Sequence, residues 1–483
     1  MNAIDPRSWS FLTDAPVWLV VLFWVVFAVL AVTWTQTITV TIAAFRIRRG
    51  ERRALPVSPQ REDAADPYGR RVTDYLWVFL VPALNEAVTI ADSVARLQAV
   101  GESPDARGRT ARKVIVVIDD GSDDGTGEIL AGLDAPDLRV LTRQLPEARR
   151  GKAAALNAAY EYVRTDLRQE EGFREFDADH VVVGIVDADG RLERYAPHQL
   201  VRYFADHSVG GAQVLVRIYN RETALTRAQD LEFGIFGHVI QAGRARWGTA
   251  NMGGNGQFNR LSALISVDEG CGPWRDRLTE DQDLGVRLVQ TGWCCVHDNN
   301  VAVHQQGVNN LRRLYRQRTR WAQGAWQALS LLPHAGAMHH RPWARLDAII
   351  YLLMPILQVA VTADLVFSIA YPLMTGTSPI PAQIAVDVLL VGVMLTFFAP
   401  AFLVAAWRSA HGDRWRLVLS GLGYVFYVWL LMPTLLLALV RQLRGRTSWA
   451  KTEREPLSAD ADDSDTSVDP LSVGGGGEAV ITD

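Results

Sequence analysis

The sequence predicts an α/β domain built on an open, mostly parallel sheet and flanked by transmembrane α-helices. Two observations predict the sheet: short β-branched runs alternate with helix-like stretches between residues 75 and 220, and each run ends in polar residues. That is the pattern of strands buried on both faces and joined by crossover helices. A third observation predicts the flanks, because the long apolar runs are confined to the two ends of the chain.

The first apolar run, from Ala15 to Ala44, reads APVWLVVLFWVVFAVLAVTWTQTITVTIAA. Three more follow Asp347: AIIYLLMPILQVAVTADLVFSIAYPLM, IAVDVLLVGVMLTFFAPAFLVAAW and LVLSGLGYVFYVWLLMPTLLLALV. Each reaches the roughly 20 residues that cross a bilayer core. A buried core helix is the alternative for each, and the length and lack of charge count against it. The first run is too long for a signal peptide and lacks a basic leading region and a small-residue cleavage site.

The basic stretch FRIRRGERR follows the first run, so by the positive-inside rule that end faces the cytosol. RQLRGRTSWAKTER, after the last run, is equally basic and is expected on the same side. Three full crossings between them would put it outside. One of the three runs is therefore expected to be a hairpin or interfacial segment, with Pro433 in the last run one candidate break. The expected organisation is a transmembrane helix with its basic flank (1–50), a linker (51–72), a cytosolic α/β domain (73–335), C-terminal transmembrane or interfacial helices (336–450) and an acidic tail (451–483).

From Glu455 onward the tail carries eight acids, no base and no aromatic residue, so it is expected to be disordered. Without it the formal charge moves from −4 to +4, which suits a protein lying on an anionic leaflet. Cys271, Cys294 and Cys295 form no metal-spaced set and read as reduced packing residues.

Within the domain, YLWVFLVPALNE, KVIVVIDDGS, HVVVGIVDADG and VGGAQVLVRIYN read as strands; TIADSVARLQAV, GTGEILAGL and GKAAALNAAYEYV read as the intervening helices. In open α/β sheets, ligands sit beyond the carboxyl ends of the strands. Asn85 and Glu86 follow the first strand, Asp119 and Asp120 the second, Asp187 and Asp189 the third. Residues two apart on an extended chain project the same way, so Asp187 and Asp189 can hold Mg2+ or Mn2+ against a phosphate. DADG is also a favourable turn by backbone geometry alone.

Only three lysines, Lys113, Lys152 and Lys451, stand among 49 basic residues. A lysine kept in RRGKAAALNAAY suggests a compact ammonium for a phosphate, with chance survival the alternative. In LRRLYRQRTRWAQGAW, read as a helix, Arg313, Gln317, Arg320 and Trp321 share one face. Arginine suits the oxyanions of a pyrophosphate and tryptophan the apolar face of a sugar ring; an interfacial membrane helix would show the same pattern. LTEDQDLGVRL, residues 278–288, opens like a helix, with Thr279 as N-cap, Gln282 completing a capping box and a buried stripe at Leu284 and Leu288. The carboxylates of Glu280, Asp281 and Asp283 are then either first-turn acids or chemistry.

Taken in order, VPALNE, VIDDGSDDGT, GKAAALN, VDADG, GGNGQF, LTEDQDLGVRL and QRTRW resemble the motifs of the membrane-embedded family 2 glycosyltransferases, which include cellulose, chitin, hyaluronan and poly-N-acetylglucosamine synthases. The resemblance covers roughly residues 75 to 330. It implies a GT-A fold with a Rossmann-like, mostly parallel sheet. It also implies a nucleotide-diphosphate sugar as donor, with UDP the expected nucleotide, and Mg2+ or Mn2+ as cofactor. By this resemblance Pro82, Ala83, Glu86, Asp119, Asp120 and Lys152 belong to the nucleotide-sugar site, and Asp187 and Asp189 to the metal and diphosphate. Gly254, Asn255, Glu280, Gln317, Arg320 and Trp321 serve the acceptor and pyrophosphate, and Asp281 is the general base.

An inverting transfer needs a base across the anomeric carbon from the leaving diphosphate. Like charge from Glu280 and Asp283 would raise the proton affinity of Asp281. The expected product is a growing β-linked polysaccharide. The alternative is a glycolipid, because GNGQFNRLSAL and VHQQGVNNLRRLYRQRTRW also resemble the bacterial β-glucosyl-diacylglycerol enzymes, and cellulose and hyaluronan synthases carry more spans. The expected partners are the nucleotide-sugar donor, a glycan or lipid acceptor, the bacterial inner membrane and an export partner or second copy, with no nucleic acid. A transporter or non-catalytic assembly subunit fits less well. Only Asp364 and Asp387 lie within the apolar runs, near their ends, and no acid is missing from the motifs.

Overall fold

The computed structural model of the chain describes residues 17–53, 71–102, 110–337, 342–375, 392, 399–408 and 414–445. The acidic tail and most of the linker expected from the sequence lie outside the described residues. The chain enters with α1 (Val17–Arg53), one 37-residue helix over the first apolar run and its basic flank. The α/β domain follows with β1 (Leu76–Ala83), α2 (Ile90–Gln98), β2 (Arg112–Asp119), α3 (Thr126–Ala131), β3 (Leu138–Thr142), α4 (Lys152–Thr165) and β4 (Val181–Ile185). Next come β5 (Arg191–Leu192), α5 (Ala196–Phe204), β6 (Val209–Ile218), and α6 (Ala224–Ile235), which runs through a π-helical stretch (Phe236–Gln241) into α7 (Ala242–Ala245). The domain closes with β7 (Gln257–Arg260), α8 (Leu261–Val267), α9 (Glu280–Gln290), β8 (Cys294–Gln305) and α10 (Leu311–Ala328). The apolar helices are α11 (Pro342–Thr375), α12 (Ala399–Arg408) and α13 (Arg414–Leu443).

The strands form one sheet in the order β3-β2-β1-β4-β7-β6-β8-β5. β1 to β4 are mutually parallel, and β6 and β8 are parallel to each other. β7 runs antiparallel between β4 and β6, and β5 antiparallel beside β8, so the sheet is mixed with a parallel majority. Alternation along β1 explains its apolar run. Leu76, Val78 and Leu80 enter one core layer with residues of α4, α8 and α9, while Trp77, Phe79 and Val81 enter the other with residues of α2 and α5. Covered on both faces, the strand shows no polar side, and each such side chain contributes about 1.5–3 kcal/mol by leaving water.

The register brings the strand ends level. Ala83 pairs with Asp119 and Leu80 with Ile185, so the polar residues after β1, β2 and β4 emerge on one rim. β7 enters from that same rim because it is antiparallel. Gln257 pairs with Ile185, which sets Gly254 and Asn255 beside Asp187.

Among the described residues two helical stretches are long and apolar enough to cross a membrane, Pro342–Ala363 in α11 and Leu419–Leu443 in α13. The second of the three C-terminal apolar runs is described only at residue 392 and in α12. α13 continues through Pro433, so the break expected there is absent; a proline removes one backbone hydrogen bond, which a 30-residue helix packed against α10 tolerates. α1 closes on α7 at Gly243, where a Cβ would lie 2.3 Å from Val40 O. α11 is fastened by a buried pair: Arg244 Nε donates 2.9 Å to Asp347 Oδ2, which also accepts from Thr249 Oγ1 at 2.7 Å. Cys295 is buried and Cys294 partly so, but Cys271 is exposed and does no packing.

Candidate active site

One wall of the rim is made by the loops after β1, β2 and β3. Asn85 takes a left-handed φ of 55°, which turns the chain off β1. Its Nδ2 donates 2.8 Å to Asp123 Oδ1, and the Asp123 N–H donates 3.0 Å to Asn85 Oδ1. Glu86 is buried beside them, its N–H donating 2.9 Å to Thr126 Oγ1 and its Oε2 accepting from Thr89 at 3.2 Å. Asp119 Oδ1 accepts from the Ser122 N–H at 3.0 Å, and Asp120 is paired with Arg143. Burial raises the Asp120 carboxyl above its ordinary value, with Arg143 opposing. Pro82 and Ala83 complete the wall at the end of β1.

Arg143 and Arg149 belong to this wall although the sequence does not flag them. Arg149, with φ 62°, donates to Gly121 O at 2.7 Å and to Asp123 Oδ2 at 2.6 Å. Both follow β3, a five-residue strand with alternate residues exposed. The strand leaves no clear apolar run to mark a fourth rim position.

The deeper cluster starts at Lys152, the first residue of α4. Its Nζ donates 2.5 Å to Asp187 Oδ1 and 2.7 Å to Gly254 O. Burial alone would lower its pKa, but Asp187, Glu280 and Asp281 outweigh it and hold the ammonium above its ordinary value. Gly254 keeps this junction open, because a Cβ there would lie 3.2 Å from Asp281 Oδ2 and 3.3 Å from Lys152 Nζ. Asn255 Oδ1 accepts from the Asp187 N–H at 3.2 Å, while Gln213 holds the loop through Asn255 O and the Gly253 N–H.

DADG closes a turn, with the Gly190 N–H donating 2.7 Å to Asp187 O. The extended geometry expected for Asp187 and Asp189 therefore stops at Asp187. Asp187 meets Lys152, and Asp189 Oδ2 accepts from the Gln306 N–H at 3.4 Å. Among the described residues no three His, Cys, Asp or Glu side chains converge to hold a metal alone. Two carboxylates on a rim are nonetheless the set that Mg2+ or Mn2+ uses when substrate phosphates supply the remaining oxygens.

α9 begins at Glu280 as expected, but the capping box does not form. Thr279 makes no side-chain cap; its hydroxyl donates 3.3 Å to Gln282 Oε1 instead. Asp281 Oδ1 accepts from the Gln282 N–H at 2.8 Å. The three acids separate. Asp283 is buried against Arg287, whose Nε donates 2.6 Å to it, so it lends no charge to a cleft. Glu280 and Asp281 stay together on the side of Lys152 and Arg320. Burial raises both carboxyls, and the Asp281 charge raises Glu280 further, while Lys152 and Arg320 oppose. The lift on Asp281 thus comes from desolvation rather than from Asp283.

α10 is capped by Asn310, whose side chain accepts from the Arg313 N–H at 3.1 Å. Arg320 acts electrostatically on Glu280 and Asp281. Trp321 does not join that group: its ring meets Phe233 edge to face at 6.2 Å and lies under the Arg318 guanidinium at 4.2 Å. Gln317 sits part-buried on the same helix.

Residues 77–324, more than half of the chain, match the family described as glycosyltransferase like family 2. The chain belongs to that family. This glycosyltransferase is 26% identical to a beta-monoglucosyldiacylglycerol synthase of Synechocystis sp. over 437 residues, 89% of this chain and 84% of that one. It is 33% identical over 255 residues to a beta-monoglucosyldiacylglycerol synthase of Trichormus variabilis, covering 51% of this chain and 48% of the relative. It is 27% identical over 254 residues to the poly-beta-1,6-N-acetyl-D-glucosamine synthase of Staphylococcus aureus, covering 52% and 55%. For those two the chain spans about half the length of the relative. Among solved structures, the mannosyltransferase PcManGT from Pyrobaculum calidifontis in complex with GDP-Man and Mn2+ superposes with a TM-score of 0.53 at 20% identity, over 87% of this chain and 99% of that one. The fold of this glycosyltransferase is GT-A, as the motif order implies.

Proposed function

We propose that this glycosyltransferase is an inverting enzyme of the bacterial inner membrane that moves a hexose from a nucleotide-diphosphate sugar, with UDP the expected nucleotide, to the hydroxyl of a membrane lipid. The observation that carries the reading is the reach of one likeness. The match to the Synechocystis beta-monoglucosyldiacylglycerol synthase extends over 89% of this chain, beyond the α/β domain and into the apolar helices, whereas the match to the polysaccharide synthase covers 52%. The docking of α10 against α13 supports it, because it puts a site helix next to an apolar one. A lipid product also stays in the leaflet and needs no export partner.

In this reading the rim after β1 and β2, with Pro82, Ala83, Glu86, Asp119 and Asp120, takes the nucleoside. Asp187 and Asp189 hold Mg2+ or Mn2+ together with the diphosphate, and such an ion supplies charge neutralisation for the leaving group. Lys152 and Arg320 offer cations to the same oxygens. Asp281 takes the proton of the acceptor hydroxyl as its oxygen attacks the anomeric carbon, with Glu280, Gly254, Asn255 and Gln317 around the acceptor and Trp321 next to Arg320 on α10, its ring packed on Phe233 and Arg318. α1, α11 and α13 anchor the chain, with the α/β domain in the cytosol.

The test uses the full-length protein in nanodiscs containing diacylglycerol, a panel of nucleotide sugars and Mg2+ or Mn2+. Release of nucleoside diphosphate with a chloroform-extractable glycolipid is the expected result. A polymer retained on a sizing column would favour polysaccharide synthesis instead, and no release from any donor would overturn both.

A further inference from the structure

The helix that carries Gln317, Arg320 and Trp321 is joined to α13 by a polar seam. The Tyr315 hydroxyl donates to Leu430 O, Arg318 Nη2 donates 3.3 Å to the Tyr427 hydroxyl, and Gln323 Nε2 donates 3.2 Å to Gln442 Oε1. Contacts at three places along one helix fix its rotation as well as its distance.

Arg318 is the centre of the seam. Its Nη2 also donates 2.6 Å to Glu232 Oε2 on α6, and that oxygen accepts from the Tyr427 hydroxyl at 2.8 Å. The guanidinium lies 4.2 Å from the centroid of Trp321 and 5.8 Å from that of Phe233. Only 10% of the Arg318 side chain is exposed, and Tyr427 is buried. A long cationic side chain beside an apolar helix would ordinarily reach for water. Here a carboxylate, a hydroxyl and two ring faces hold its Nη2 end and its flat face in one arrangement, although Nε is buried without a partner, and a desolvated charge persists only when paired.

The opposite side of α10 faces the chemistry. Arg318 and Arg320 are two residues apart, about 200° around a helix, so they point to opposite sides. The charge of Arg320 acts on Glu280 and Asp281, while Arg318 is hydrogen-bonded to Glu232 and Tyr427. Any turn of the helix that releases one side moves the other.

We propose that Glu232, Arg318 and Tyr427 form a positioning clamp through which α6 and α13 set the place of Trp321 and Arg320. They touch no reacting atom in this arrangement; they act through the helix they hold. The kinetic part of the test rests on the lipid-acceptor reading, and the exchange part does not.

The experiment compares the full-length protein with Glu232→Gln, Arg318→Gln, Arg318→Lys and Tyr427→Phe in nanodiscs, by hydrogen exchange and by kinetics with the donor that the unaltered protein turns over. Glu232→Gln and Arg318→Gln are expected to speed amide exchange across residues 315–324 and to lower kcat/KM for both diacylglycerol and the donor by about tenfold, because Arg320 serves the donor diphosphate. Arg318→Lys keeps the charge but loses the planar fork, so it should recover only part of the loss. Tyr427→Phe added to Glu232→Gln should add little, because both act through the same carboxylate. Unchanged exchange across 315–324 in Glu232→Gln would overturn the clamp, as would faster exchange with kcat/KM unchanged for both substrates. If the unaltered protein makes no glycolipid, the lipid-acceptor reading falls, and the exchange result still decides the clamp.

Discussion

Gly324 lies flush against Thr279: a Cβ at position 324 would sit 2.2 Å from Thr279 Oγ1. The missing side chain is what lets α10 reach the start of α9, where the Leu278 N–H donates 3.0 Å to Gln327 Oε1. Gly324→Ala is therefore expected to push the two helices apart, costing about 1–3 kcal/mol and lowering turnover more than donor binding. Thr279→Gly in the same chain should restore most of the loss, since glycine is a tolerable N-cap. Melting midpoints and product rates check both. A double variant as poor as the single would show that this contact is not the cause.

Asp281 and Asp283 are two residues apart but should fail in different ways. Asp281→Asn is expected to abolish transfer while leaving nucleotide binding near normal, because it removes only the proposed base. Asp283→Asn leaves Arg287 buried without its carboxylate and should destabilise the protein by about 3–5 kcal/mol. Denaturant unfolding together with donor titration separates the two, and near-normal turnover in Asp281→Asn would reject the assignment.

Lys152 is held at 2.5 Å from Asp187 and 2.7 Å from Gly254 O, in a space that a Cβ at Gly254 would already crowd. Lys152→Ala is expected to lower kcat by roughly 100-fold or more, since it removes a cation proposed to meet the leaving diphosphate. Lys152→Arg should recover little, because a planar fork does not fit where a compact ammonium does. Steady-state kinetics with varied donor reads both effects.

The carboxyl pair predicts how rate and stability respond to pH. Burial holds Glu280 and Asp281 above the ordinary carboxylate range. The base must be ionised, so transfer should fall as pH drops, with a midpoint above that of a free carboxyl. Stability runs the other way. A carboxyl raised in the folded state favours folding fully below its unfolded value, and this contribution is lost as pH rises through the folded one, for Glu280 about 7. Glu280→Gln should therefore raise the melting midpoint above about pH 7 and change it little near about pH 4. A shift of equal size at both pH values would contradict this.

The Arg244 and Asp347 pair tests the docking of α11. Both side chains are 3% exposed, so Asp347→Ala leaves a buried cation and should cost about 3–5 kcal/mol. Replacing both partners by apolar residues, Arg244→Met with Asp347→Leu, should recover most of that loss. Thermal melts of the single and double variants decide whether the pair or only the packing holds the helix.

Much of this site is legible without coordinates. Asp119, Asp120, Asp187 and Asp189 could be placed at strand ends because strand periodicity and turn chemistry are local, and the register confirms that their strands end level. Lys152 stood out through lysine usage, and it does join Asp187. Trp321 was legible as a member of a helix face but not in its partners, because Phe233 lies on α6, far away in sequence. Gln257 and β7 were silent for another reason: QFNR has no apolar alternation, and the strand exists only because β4 and β6 leave a gap between them.

The sequence by itself determined β1, β2, β4 and β6 of the parallel sheet, the helical starts at Lys152 and Glu280, and the apolar helices at the ends, since each follows from a local pattern. Only the tertiary structure decided which acids of α9 act together. Asp283 turns to Arg287 one turn along its own helix, while the neighbours of Glu280 and Asp281 come from α4, α10 and the loop before β7. The Asp283 to Arg287 pair is thus local to α9, whereas the docking of those distant segments left Glu280 and Asp281 under the opposing charges of Lys152 and Arg320.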